Sequence, residues 1–98
     1  MVICAAILIE TNTEDEPIAI CGRRHSDCYY TLWQLNPKLS KWAKENDAII
    51  EGFINNKNNF ITRAQAYEEA FNCGQISLTT YEYKQSKGET ILYSEDLY

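Results

Sequence analysis

Between Gly52 and Gln75 the hydrophobic pattern switches from short extended runs to helical spacing. Gly52-Phe53-Ile54 and Phe60-Ile61 are apolar. The tract between them, Asn55-Asn56-Lys57-Asn58-Asn59, is rich in a residue that tolerates left-handed backbone angles. The pattern predicts two short strands joined by a tight turn. Thr62 then offers a hydroxyl as N-cap, with Gln65 three residues on at the spacing of a capping box. A helix is predicted from about Arg63 to Asn72 or Cys73, with Ala64, Tyr67 and Phe71 on one stripe and Ala66 and Ala70 beside it. Gly74 is the residue expected just past its end.

On the N-terminal side, Val2 to Ile9 is apolar on both faces, as in a strand covered on both sides or lying at a subunit interface. Thr11 to Glu16 is a polar, acidic connection. Pro17 to Cys21 reads as a second strand in an antiparallel hairpin, with proline tolerated at its start. Gly22 to Cys28 breaks that strand and opens a helix over about Ser26 to Gln34, in which Cys28, Leu32 and Leu35 keep helical spacing. Asn36-Pro37 stops it. Lys38 to Asp47 is read as a second short helix carrying Trp42, and Ala48-Ile49-Ile50 leads into the central stretch. Beyond Gln75, Ile76 to Tyr83 has strand composition. Lys84 to Glu89 reads as a turn and Thr90 to Tyr93 as a last strand. The expectation is a single α+β domain over residues 1–98: an antiparallel sheet of about five to six short strands with two main helices packed on it.

Composition narrows the function. Ninety-eight residues suffice for one real core. No run of eighteen apolar residues occurs, so no membrane span is expected. The apolar N-terminus lacks a basic leader and is read as a buried strand rather than a signal peptide, which places the chain in the cytoplasm. A formal charge of −5 argues against DNA or RNA as a partner, since phosphate neutralisation needs a clustered basic surface. It still permits a local positive pocket for a small anion. Four cysteines form no CxxC pair, and Cys21, His25 and Cys28 match no standard zinc template, so neither metal nor disulfide framework is expected.

No nucleotide-loop, dinucleotide-fold, serine-hydrolase or zinc-protease motif occurs. His25, the one histidine, has no nucleophile placed beside it by the sequence. The chain is therefore read as a binding protein and not an enzyme; a hydrolase built on His25 is the competing reading. What remains is arginine beside aromatic residues. Arg23 and Arg24 stand at a strand-to-helix junction, and Arg63 stands in the first turn of the other helix, close to Phe60. A cation at a helix N-terminus is slightly unfavourable on its own. An anion held between guanidinium and helix end would explain the placement. Pairing of these arginines with some of the fourteen acidic residues is the alternative.

A longer pattern runs through these residues. Its blocks are Cys4-Ala5-Ala6-Ile7, Gly22-Arg23-Arg24-His25 with Asp27 and Cys28, Gly52-Phe53, Phe60-Ile61-Thr62-Arg63-Ala64 with Ala70 and Gly74-Gln75, and Leu92 to Tyr98. Together they resemble a family of small phage proteins, the anti-Thoeris sponges, which bind the cyclic ADP-ribose signal made by bacterial TIR-domain proteins. The resemblance implies sequestration without cleavage in the host bacterial cytoplasm, no cofactor, and a homodimer or larger homo-oligomer with the signal buried at an interface. Some larger assemblies of that family also hold cyclic oligonucleotides at separate sites. Carried over by motif position, the implied ligand-binding residues are Arg23, Arg24, His25, Phe60, Arg63, Ser94 and Asp96, with the arginines on phosphate and the Ser94-Glu95-Asp96 tail shaping the recess or holding a ribose. The alternative is a phage inhibitor that docks on a host protein through an acidic, tyrosine-rich surface.

Overall fold

The computed structural model describes residues 1–11 and 17–97. Its sheet has four antiparallel strands, β1 (Val2–Ile9), β2 (Ile18–Gly22), β3 (Ile49–Asn55) and β4 (Phe60–Thr62), in the order β2-β1-β3-β4. Four helices accompany it: α1 (His25–Leu35), α2 (Pro37–Glu45), α3 (Arg63–Asn72) and α4 (Leu78–Ser86), followed by a 3-10 turn over Ser94–Asp96. The polar connection expected at Thr11 to Glu16 lies, beyond Thr11, outside the described residues.

The central stretch folds as its pattern dictates. Asn55 organises the β3–β4 turn by accepting from the N–H groups of Lys57 and Asn59, at 3.1 and 3.0 Å, and Asn58 takes the left-handed conformation at φ 62°. Thr62 accepts from Gln65 N–H at 3.2 Å, and Gln65 returns the bond to Thr62 N–H at 2.9 Å, so the capping box of α3 is complete. Gly74 follows the helix at φ 81°. Gln75 then uses its amide as a surrogate strand residue, accepting from Val2 N–H at 2.7 Å and donating to Val2 O at 2.8 Å, which ties the end of α3 to the start of β1.

Register decides which side of the sheet is core. Ala5, Ile7 and Ile9 of β1 stand beside Phe53 and Ile49 of β3, and with Ile20 and Ile61 they meet Cys28 and Leu32 of α1 and Ala66, Tyr67 and Ala70 of α3. Alternate residues point the other way. Ala6 pairs Cys21 and Gly52, Leu8 pairs Ala19 and Ile50, and Ile54 pairs both Cys4 and Phe60; none of these belongs to the core cluster. Both faces of β1 are apolar, but the helices cover one.

Two predicted strands are absent from the sheet. Ile76 to Tyr83 falls mostly in helix α4, because Ser77 accepts from Thr80 N–H at 3.1 Å as an N-cap and Tyr81 stacks its ring on Phe71 and Tyr67, with centroids 4.0 and 4.8 Å away. β-Branched composition is here overridden by a cap and by packing. Thr90 to Tyr93 docks on the start of α3, with Leu92 buried and its N–H donating to Arg63 O at 3.0 Å.

The thiols divide by burial. Cys28, whose Sγ donates to Ala5 O at 3.5 Å, is pushed up to about 12 by burial and then by the neighbouring Cys21 and Cys4, from an ordinary 9.0. Burial, with Cys21 second, raises Cys4 to about 11. Both stay protonated in the folded state while the unfolded chain ionises near 9.0, so their contribution to stability is complete below that pH and is lost as pH rises through 11 to 12. At pH 8, iodoacetamide should label the exposed Cys21 and Cys73 quickly and leave Cys28 untouched until the chain unfolds. Mass spectrometry showing Cys28 labelled as fast as Cys73 would contradict this packing.

Candidate functional site

The first turn of α1 is capped from within the helix. Asp27 accepts from Arg24 N–H at 3.2 Å, while the Arg24 guanidinium, which has no acceptor to offer, takes no part in the cap. It extends instead to Glu95 at 3.3 Å, an ion pair between largely exposed groups. His25, next in the chain, is buried edge-on against Phe53 with ring centroids 5.2 Å apart. Gly52 O can only accept, so His25 Nε2 donates to it at 2.8 Å, and Nδ1 is left facing Arg63 Nη2 at 3.4 Å.

Arg63 opens α3 directly after the Thr62 cap and is the most connected group of the region. Its Nη2 donates to Glu51 Oε1 at 2.6 Å, and Glu51 Oε2 accepts from the Tyr29 hydroxyl at 2.7 Å. Burial first, and then the bond to Glu51, pushes the Tyr29 hydroxyl well above its ordinary range, so it remains a donor. The guanidinium lies 5.4 Å from the Tyr93 ring centroid, and its buried Nε has no partner among the described residues.

These groups surround a cavity of about 290 Å³ lined by Arg24, His25, Ser26, Arg63, Tyr93, Ser94 and Glu95. The first N–H groups of a helix have no partner within it. His25 and Ser26 of that first turn are wall residues, so one helix N-terminus and two guanidiniums meet at one hollow in a chain of net charge −5. Such an arrangement suits an anion with an aromatic or sugar neighbour.

The far wall is held by a buried lysine. Lys84 of α4 pairs with Asp96 at 2.9 Å, donates to Ile91 O at 3.2 Å, and lies 4.6 Å from the Tyr93 ring centroid. Asp96 also accepts from Tyr93 N–H at 2.8 Å. The tail is thereby fixed with Tyr93 and Ser94 turned to the cavity.

Of the residues singled out in the sequence, Arg24, His25, Arg63 and Ser94 come together in this wall. Three do not. Arg23 is exposed at the bend before α1 and is not part of the lining. Asp96 is engaged with Lys84 and the tail backbone. Phe60 belongs to the sheet face opposite the helices, where it lies over Gly52; a Cβ at Gly52 would meet Ile61 O and stand 2.6 Å from Phe60 Cζ. The wall residues Ser26 and Tyr93 were not selected from the sequence, though Tyr93 and Glu95 fall in the C-terminal block. Lys84 falls in a stretch whose sequence reads as a turn, and no local signal marks it. Among the described residues no group of three or more metal-ligating side chains occurs.

The geometry defines a small α+β domain with an arginine-lined recess at the N-termini of two helices. The chain belongs to the Phage T4 y16D protein family, whose model it matches over residues 1–98. It is thus a phage protein, and no helix among its described residues is long and apolar enough to cross a membrane. No curated protein and no solved structure matches it.

Lys84→Met should cost about 3 kcal/mol, because Asp96 is left in place without its cation. It should also open the C-terminal tail to carboxypeptidase. An unchanged melting temperature with an untrimmed tail would remove Lys84 from this role.

Proposed function

We propose that this protein is a phage immune-evasion protein that binds a TIR-generated cyclic ADP-ribose isomer in the host bacterial cytoplasm and sequesters it uncleaved, so blocking Thoeris defence signalling. The observation that carries the reading is the meeting of Arg24, Arg63 and the first turn of α1 at one cavity beside Tyr93 and Ser94. A pyrophosphate is the small biological anion best matched to two guanidiniums, which bind it bidentately and stay charged at every relevant pH. Tyr93 supplies an aromatic face for adenine, and the Ser94 hydroxyl a partner for ribose. The chemistry is that of capture: both ring nitrogens of His25 are occupied, by Gly52 O and by Arg63, which leaves neither for proton transfer to a guest.

Size supports a neighbouring copy as part of the site. Nanomolar capture requires about 12 kcal/mol. A ligand of about 35 non-hydrogen atoms gains roughly 0.3 kcal/mol from each, so nearly all of its surface must be covered. A cavity of about 290 Å³ accommodates the pyrophosphate and one flank. The remainder falls to a homo-oligomeric partner. In the free protein Glu95 occupies Arg24, and the incoming phosphate displaces it at small cost because that pair is exposed.

A second reading, direct inhibition of a host protein, draws on the outer side of α1. Tyr30, Trp33 and Leu35 are more than half exposed there, and the rings of Tyr30 and Trp33 stack with centroids 6.4 Å apart.

Arg24→Ala should weaken binding of the cyclic nucleotide by about 10- to 100-fold, the worth of a hydrogen bond to a charged group. Lys57→Ala, in the β3–β4 turn, should leave it unchanged, with isothermal titration calorimetry as the readout. Ligand released by denaturing the complex should be chemically intact. Recovery of AMP or ribose phosphates, or equal effects of the two substitutions, would overturn the reading. A stable host-protein complex abolished by Trp33→Ala, with no thermal shift from any cyclic nucleotide, would favour the second.

A further inference from the structure

We infer that Glu95 is a specificity-determining residue of the recess: its carboxylate turns away nucleotides that end in a free phosphate and leaves the site to those whose phosphates are all esterified on both sides. This inference rests on the reading of the recess as a nucleotide pyrophosphate site, and adds what that site rejects.

The balance of charge around the hollow carries it. Each guanidinium that meets the recess already has a carboxylate: Arg63 donates to Glu51 at 2.6 Å, and Arg24 pairs with Glu95 at 3.3 Å. Asp27 adds a third acid at the start of α1, where it accepts from Arg24 N–H at 3.2 Å. Lys84 is neutralised by Asp96 at 2.9 Å. The recess therefore offers directed donors without a surplus of positive charge. Such donors suit a guest with one charge on each phosphate and do not compensate a terminal phosphate, which carries nearly two.

Two of these acids differ in freedom. Glu51 is held at both oxygens, by Arg63 and by the Tyr29 hydroxyl at 2.7 Å, and is not part of the lining. Glu95 lines the cavity, and its exposed side chain can turn off Arg24. Its backbone is pinned on both sides. Ser94 before it is buried, and Asp96 after it is fixed by Lys84 and by Tyr93 N–H at 2.8 Å. A phosphate that takes Arg24 thus finds the displaced carboxylate still a side chain's length away, inside the roughly 8 Å over which physiological salt screens a charge. Carboxylate and ionised phosphate are both acceptors, so no hydrogen bond relieves the contact. One additional charge about 6 Å from Glu95 weakens binding about 3-fold in water-like surroundings and about 100-fold at an effective dielectric of about 20, so roughly 10-fold is expected at this solvent-facing wall.

The selectivity has a physical purpose. ADP and ATP present the adenine, ribose and pyrophosphate of the proposed guest, so attractive contacts alone discriminate poorly among them. A repulsive group at the end of the pyrophosphate supplies the difference.

The test is isothermal titration calorimetry at pH 8 with ADP and its β-methyl ester, which differ chiefly in the charge of the terminal phosphate, and with a cyclic ADP-ribose isomer as reference. The wild type should prefer the methyl ester, and added salt should narrow that preference. Glu95→Gln should strengthen ADP binding about 10-fold and methyl-ester binding less than about 3-fold. Glu45→Gln, which removes the same charge from α2 outside the lining, should change neither. With the cyclic isomer bound, equal gains for both probes in Glu95→Gln, no gain for either, or the same gain in Glu45→Gln would overturn this inference and leave the ligand reading standing. Failure of all three probes to bind wild type and variants alike would overturn both.

Discussion

The Arg63 guanidinium is the group on which the helical side of this protein converges. It bonds Glu51 in β3, faces His25 at the start of α1, and lies against Tyr93 in the tail, while the Arg63 carbonyl receives Leu92 N–H. Glu51 in turn holds Tyr29. A largely buried ion pair adds little net stability, since desolvation offsets attraction, but it strongly penalises arrangements in which either partner is left alone. Sheet, two helices and tail are therefore locked to one relative placement, and the recess is what that placement leaves open. A site assembled in this way is preorganised by the same bonds that set the fold.

The second constraint is that the helices lie on one side. His25 donates to Gly52 O from the helical side, while Phe60 covers Gly52 from the other; glycine is required because a Cβ would run into Ile61 O and the Phe60 ring. One residue thus serves both faces of the sheet. The helical face carries the charged and aromatic groups that line the recess, and the opposite face carries apolar, uncharged side chains.

Much of the fold was legible where local signals agreed. The Thr62–Gln65 box, the Asn-rich turn and Gly74 were each readable because capping and left-handed backbone depend on residues a few positions apart. Asn36-Pro37 ended one helix and, with Asn36 accepting from Leu39 N–H at 3.1 Å, began the next. Ile76 to Tyr83 reads as a strand because its threonines and tyrosines favour strands in isolation, yet Leu78–Ser86 is helical because the stacking of Tyr81 on Phe71 and Tyr67 joins positions ten or more apart.

The sequence alone determined an α+β domain, the positions of the arginines at helix entrances, and a first strand apolar on both sides. Only the tertiary structure decided that Arg24, Arg63 and Ser94 share a hollow, that Phe60 belongs to the other face, and that Asp96 pairs with Lys84. The reason is range. Caps and turns are fixed by neighbours in the chain, whereas the recess depends on strand register and on an ion pair between residues twelve positions apart in each case, Glu51 with Arg63 and Lys84 with Asp96. Neither pairing leaves a local mark for the sequence to show.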